Sequence, residues 1–165
     1  MPRNIFVNKD VEAKYNVKVT MRDGIELSTD IYFPREMKGQ LPVILSRTPY
    51  DNTTEESTEA ASFYPQEGYI FIAQDVRGRN DSDGIFYPYL NEFNDGYDTI
   101  EWIGTQPWCD GNVGMVGASY VGYVQWQAAT MRSKYLKTIV PRVIGHSMYD
   151  LGWRQGGAFQ LAVAT

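Results

Sequence analysis

The run Val113-Gly114-Met115-Val116-Gly117-Ala118-Ser119-Tyr120-Val121-Gly122 carries an apolar, strand-like tetrad into a serine flanked by glycines, and then straight into a helical pattern. A serine at a tight strand-to-helix turn sits in strained backbone, so the residue two before it must be small, and here it is Gly117. Gly122, three residues after the serine, lets the helix approach the sheet closely. This is the form of a nucleophile elbow, with Ser119 as the candidate nucleophile. Tyr120 opens the helix, so its backbone N–H has no intrahelical acceptor and lies where the helix dipole favours negative charge, as an oxyanion donor requires. Val121 stands where the common G-x-S-x-G pattern has its second glycine. A bare G-x-S-x-x-G run also suits a plain strand-to-helix joint, and the order of the surrounding elements is what favours the hydrolase reading.

Upstream, Tyr15 to Met21 alternates Val17, Val19 and Met21, and Arg22-Asp23-Gly24 separates it from a second alternating run, Ile25 to Phe33, which predicts a β-hairpin. Leu41 to Ser46 and Tyr69 to Gln74 are short apolar runs of the kind shown by strands covered on both faces. Arg47-Thr48-Pro49-Tyr50 reads as the loop after the first of them, and Asp75 to Gly84 as the loop after the second. Between them Thr53 to Phe63 is weakly helical, with Gly68 as its stop. Asn91 to Ile103 has near-helical spacing of Phe93, Tyr97, Ile100 and Trp102-Ile103. Tyr120 to Met131 is predicted as a helix with Val121, Val124, Ala128 and Ala129 on one side. Leu136 to Val140 and Val143-Ile144 form a last strand, with Pro141 inside or just beyond it. A hairpin followed by strand–helix units predicts an α/β fold: a mostly parallel sheet, antiparallel at its beginning, with flanking helices. From Ala158 a further apolar helical pattern begins and stops without a cap.

The chain has 165 residues, 43% of them hydrophobic and 21% charged, which excludes a disordered or fibrous protein. Its 15 Lys+Arg against 20 Asp+Glu are scattered, so no basic stripe follows phosphates and no nucleic-acid partner is expected. No apolar run approaches the roughly 20 residues of a membrane span, and a membrane partner is not expected either. The single cysteine, Cys109, permits no internal disulfide and agrees with a cytoplasmic location.

Three separated stretches, Arg47-Thr48-Pro49-Tyr50, Gln74-Asp75-Val76-Arg77-Gly78-Arg79 and Gln106 to Gly122, together resemble the X-prolyl dipeptidyl-peptidase and cocaine-esterase family of serine hydrolases, over roughly Tyr15 to Asp150. That family also includes α-amino acid ester hydrolases and glutaryl acylases. The resemblance implies an α/β-hydrolase-like fold in which Ser119 attacks an ester or amide carbonyl to give an acyl-enzyme. It further implies that the Tyr50 hydroxyl joins the Tyr120 N–H in the oxyanion hole. On this reading residues 1–150 are the N-terminal part of the hydrolase domain and residues 151–165 the start of a helical cap. The expected substrate is a small ester, an amide or a short peptide such as an X-Pro peptide, with no cofactor and no metal.

A serine hydrolase of this fold needs Asp or Glu and then His after the serine. The one histidine, His146, precedes Asp150, the one carboxylate after Ser119, so the order fails. His146 is read as a pocket-wall or structural histidine, and the chain alone is expected to turn over little. Two alternatives stand: a non-catalytic binding or assembly module keeping half of the fold, or completion of the site by a downstream segment or another chain, including a homo-oligomer. Arg79 to Gly84 resembles a calcium loop at Asp81, Asp83 and Gly84, but Arg79 takes the first ligand position and Leu90 the twelfth, which excludes an EF-hand. Asp75 and Arg77 are expected to form an ion pair shaping their loop, Cys109 to be a small loop residue, and Trp102, Trp108 and Trp126 to fill core.

Overall fold

In the computed structural model the described residues are 9–145, 154–155 and 158–159. They form β1 (Val11–Thr20), β2 (Glu26–Pro34), β3 (Leu41–Thr48), α1 (Glu55–Gln66), β4 (Ile70–Asp75), α2 (Glu92–Gly104), β5 (Cys109–Ala118), α3 (Tyr120–Thr130), β6 (Leu136–Arg142), β7 (Arg154–Gln155) and β8 (Ala158–Phe159). The first six strands make one mixed sheet in the order β1-β2-β4-β3-β5-β6. β1 to β2 and β2 to β4 are antiparallel, and β4, β3, β5 and β6 run parallel, so the antiparallel beginning and parallel body expected from the sequence are both present.

The hairpin closes through the Met21 N–H on the Ile25 carbonyl at 2.8 Å, with Gly24 at φ 85° supplying the left-handed turn residue. β1 begins upstream of the predicted Tyr15, because a bulge between Lys14 and Val17 breaks the alternation; Asn16 turns left-handed there and its N–H bonds Asp30 Oδ1 at 2.7 Å. Every residue of β4 is buried. Phe71 and Ala73 pack with Ala61 of α1 on one face, and Ile70 and Ile72 pack on the other with Ile100 and Ile103 of α2 and Ala128 of α3. Period-2 alternation with both faces covered explains the unbroken apolar run, and each large side chain so buried contributes roughly 1.5–3 kcal/mol.

α1 starts at Thr54, whose hydroxyl accepts from the Ser57 N–H, and Glu55 and Glu56 complement its N-terminal dipole. α2 and α3 lie close together because a Cβ at Gly96 would stand 2.9 Å from the Ala128 Cβ. α3 buries Val121, Val124 and Ala128 as expected and leaves Ala129 half-buried. Pro141 lies inside β6 opposite Gly117; β6 has no outer neighbour among the described residues, which is where proline costs a sheet least.

Several expectations need correction. Arg47 and Thr48 belong to β3 rather than to the loop, and β5 begins at Cys109, which is a buried core residue and not a loop residue. Trp102 and Trp108 pack against the core, but Trp126 is 38% exposed, since it falls on the face of α3 opposite Val124 and Ala128. Where the sequence pattern predicts a helix from Ala158, Ala158–Phe159 pair antiparallel with Arg154–Gln155; the rest of residues 151–165 lies outside the described residues. No helix among the described residues is long and apolar enough to cross a membrane.

Candidate active site

The parallel strands bring their carboxyl ends to one edge. Thr48 pairs with Asp75, and Ala118 with Arg142, while Leu45 opposite Met115 sets β3 level with β5. Crevices at this edge, where strand order doubles back around β3, are where open α/β sheets hold ligands. A cavity of about 960 Å³ opens there, lined by Ser119, Tyr50 and the loop Gly117-Ala118, by Glu55, Glu56, Glu59 and Phe63 on α1, and by Arg142 at the end of β6.

Ser119 sits between β5 and α3 at φ 55°, ψ −124°, a region that L-residues rarely occupy. Its N–H donates to the Arg142 carbonyl at 3.0 Å, and its own carbonyl accepts from the Gly122 and Tyr123 N–H groups, both at 2.9 Å. The side chain makes no capping bond and the residue is exposed, so the hydroxyl is presented to the cavity instead of being used by the helix. Both glycine expectations hold. A Cβ on Gly117 would overlap Val121, and one on Gly122 would lie 2.7 Å from Ile144 Cγ2 and 3.0 Å from the Arg142 carbonyl.

Tyr120 is the first residue of α3, which leaves its N–H at the helix mouth beside Ser119. Its ring is buried, stacked on Tyr89 with centroids 4.4 Å apart, and the Tyr50 ring meets it edge-on at 6.4 Å. The Tyr120 hydroxyl donates to Glu92 Oε1 at 2.8 Å and accepts from the Tyr89 N–H at 3.1 Å. Burial, and next the Glu92 carboxylate, push this phenol far above its usual range and keep it a neutral donor. Tyr50 is 57% exposed and lines the same cavity as Ser119. Thus all three expected site residues gather at one place, whereas His146 lies outside the described residues.

Beneath them is a buried polar network that the sequence reading missed. Fully buried Arg47 donates from Nη1 to Glu92 Oε2 at 2.7 Å and from Nε to Gln74 Oε1 at 2.7 Å. Gln74 in turn donates to Thr29 Oγ1 at 3.0 Å and accepts from Thr99 Oγ1 at 3.0 Å. The available signal was an arginine closing the apolar run of β3, which a buried strand tolerates only with a partner.

The expected Asp75–Arg77 ion pair is absent. Asp75 ends β4 while Arg77 lies beyond it in the turn before Gly78, and Arg77 instead bonds Asp95 of α2 at 2.7 and 2.9 Å and also bonds Asp23 of the hairpin turn. Asp75 accepts at Oδ1 from the Asn52 N–H and from Asn80 Nδ2, both at 2.9 Å. The would-be calcium loop is bound to the hairpin: the Asp83 N–H meets the Glu26 carbonyl at 2.9 Å, and Lys18 Nζ meets the Asp81 carbonyl at 2.6 Å.

Burial, opposed by these hydrogen bonds and aided by the Asp51 carboxylate, pushes Asp75 up from its ordinary value of 3.8 to about 6. The folded chain therefore holds this proton more tightly than the unfolded chain. The stability contribution is complete at low pH and is lost as pH rises through about 6. Asp75→Asn removes that dependence. Thermal melts from pH 4 to 8 should show the wild type losing about 2 kcal/mol relative to the variant over this range, and a constant difference would contradict the assignment.

The sheet order, the exposed serine at the strand-to-helix turn and the cavity above it define a chain of the α/β-hydrolase-like class. An α-amino acid ester hydrolase superposes with a TM-score of 0.74 at 31% identity, over 92% of this chain and 28% of its own. The chain belongs to the X-Pro dipeptidyl-peptidase (S15) family, whose profile matches residues 23–165. It is 42% identical over 161 residues to a cocaine esterase of Rhodococcus sp. (strain MB1 Bresler), covering 94% of this chain and 28% of the esterase. It is 28% identical over 164 residues to an Xaa-Pro dipeptidyl-peptidase of Lactobacillus helveticus (strain DPC 4571), covering 84% of this chain and 20% of the peptidase. The chain thus spans well under a third of these relatives' length.

Proposed function

We propose that this chain carries the nucleophile and oxyanion hole of a serine hydrolase that cleaves small esters or amides, including X-Pro peptides, through an acyl-enzyme. The observation that carries the reading is Ser119 itself: exposed, uncapped, held in the left-handed region between β5 and α3, and lining the cavity with Tyr50. In the proposed reaction the Ser119 hydroxyl adds to the carbonyl carbon as its proton passes to a general base, and negative charge develops on the carbonyl oxygen. The Tyr50 hydroxyl and the Tyr120 N–H stabilise that charge, which is worth about 10²–10³-fold in rate per donor. Collapse expels the alcohol or amine, and water then hydrolyses the ester to Ser119.

The base and its carboxylate come from outside these residues in this reading, since His146 precedes Asp150 in the sequence. β6 is the side of the sheet where a downstream segment or a second copy would complete the strands, because its outer edge has no partner among the described residues. Residues 1–150 are accordingly hydrolase domain and 151–165 the approach to a cap. The cytoplasmic location proposed for the protein rests on its single cysteine. The test is covalent labelling of the protein, at the length its source cell makes, with a fluorophosphonate. Peptide mass analysis should find the adduct on Ser119, and an adduct confined to another residue, or none, overturns the proposal.

A further inference from the structure

Tyr50 is more than half exposed, so its ring is poorly held by packing and its aim depends on the backbone that carries it. That backbone is tied down on both sides, to the last residue of β4 and to the loop that follows it. Before it, Arg79 Nε donates to the Pro49 carbonyl at 2.8 Å, with the guanidinium resting over the Phe86 ring at 5.3 Å. After it, the Asn52 N–H donates to Asp75 Oδ1 at 2.9 Å. Between these ties Asp51 is held at φ 102°, a conformation that a non-glycine residue keeps only when its surroundings impose it. Asp75 is itself completely buried, is fixed by Asn80 Nδ2 on the same oxygen, and has no hydrogen-bond partner on Oδ2 among the described residues. A carboxylate kept in so dry a place with half of its capacity unused costs stability, which argues for a role beyond packing.

We propose that Asp75 is a positioning residue for the oxyanion hole: through the Asn52 N–H it fixes the Pro49–Asn52 segment and so aims the Tyr50 hydroxyl at the carbonyl oxygen above Ser119. This rests on the reading of Tyr50 as an oxyanion donor. The charge acting on Asp75 from that segment is the Asp51 carboxylate, and the loop after β4 contributes the Asn80 amide and the Asp81 N–H. No cation pairs with it among the described residues, so its hold on Asn52 is direct and is shared with the Asn80 amide and the Asp81 N–H.

The experiment is a double-mutant cycle on the protein at its source-cell length, with p-nitrophenyl butyrate as substrate. Tyr50→Phe is expected to lower kcat about 10²-fold. Asp75→Ala is expected to lower kcat about 10–30-fold with KM within twofold, and to have no further effect in the Tyr50→Phe background, because it acts only through that hydroxyl. Losses that multiply in the double variant overturn the proposal and leave the Tyr50 reading standing, whereas Tyr50→Phe at the wild-type rate removes the reading and the proposal together. Should Asp75→Ala fail to fold, Asp75→Asn keeps the volume and one acceptor oxygen and runs in the same cycle. A several-fold loss that vanishes beside Tyr50→Phe supports the proposal, and an equal loss in both backgrounds overturns it.

Discussion

Replacing Ser119 by glycine is expected to abolish turnover and stabilise the fold at once. Removing the nucleophile of a serine hydrolase costs about 10⁴-fold or more in kcat, and Ser119→Ala should show the same loss. The two variants part in stability. At φ 55°, ψ −124° the backbone adopts the conformation of the first central residue of a type II′ turn, where glycine predominates. Holding a side-chain-bearing residue there costs about 1–3 kcal/mol. Glycine removes that strain but adds roughly 0.5–1 kcal/mol of unfolded-chain entropy, so a net gain of about 1 kcal/mol remains, or a Tm about 2–4 °C higher. Alanine keeps the strain and serves as the control. Turnover surviving in Ser119→Ala would place the nucleophile elsewhere, and a glycine variant no more stable than the alanine variant would mean that the turn stores no strain.

This turn was readable from sequence because its demands are local. Gly117 and Gly122 answer to Val121 and Ile144 within a few residues or one strand, and an apolar tetrad before them fixes the direction of approach. The same reasoning found every strand of the main sheet but ended β3 and β4 too early, at Ser46 and Gln74 against the observed Thr48 and Asp75. Hydropathy equates a polar residue with exposure, yet Arg47, Thr48, Gln74 and Asp75 are all buried, in bonds supplied by other elements. Tyr50 was found through resemblance alone, since nothing local separates it from a packed tyrosine at a strand end. Arg47 and Glu92, 45 positions apart, meet only because the sheet places β3 at its centre with α2 across it. The Asp75–Arg77 pair failed for the converse reason: proximity in sequence did not survive the turn at Gly78, which sends Arg77 towards Asp95.

That long-range pair gives the second large effect. Arg47 and Glu92 have side chains 0% and 3% exposed, and each is the other's only oppositely charged partner among the described residues. Glu92→Ala would leave the guanidinium with Gln74 alone, and Nη2 already has no hydrogen-bond partner there. It would also remove the acceptor of the buried Tyr120 hydroxyl. Breaking one side of such a pair typically costs 3–5 kcal/mol, against the roughly 5–15 kcal/mol that holds a domain folded. Glu92→Ala and Arg47→Met should each lower the midpoint of urea unfolding by that amount at nearly constant m. The double variant Arg47→Met/Glu92→Gln removes both charges of this pair and keeps an acceptor for Tyr120, so most of the loss should return. Single variants within 1 kcal/mol of the wild type would show the pair to be solvated instead of sealed. Because Arg47 lies near the end of β3, one residue before Thr48, while Glu92 opens α2 and Tyr120 opens α3, the same three side chains join the strand leading to Tyr50 with the helix carrying the Tyr120 N–H. Their loss should therefore loosen the site before it unfolds the sheet, with hydrogen exchange at the start of α3 speeding up at urea concentrations where β4 stays protected.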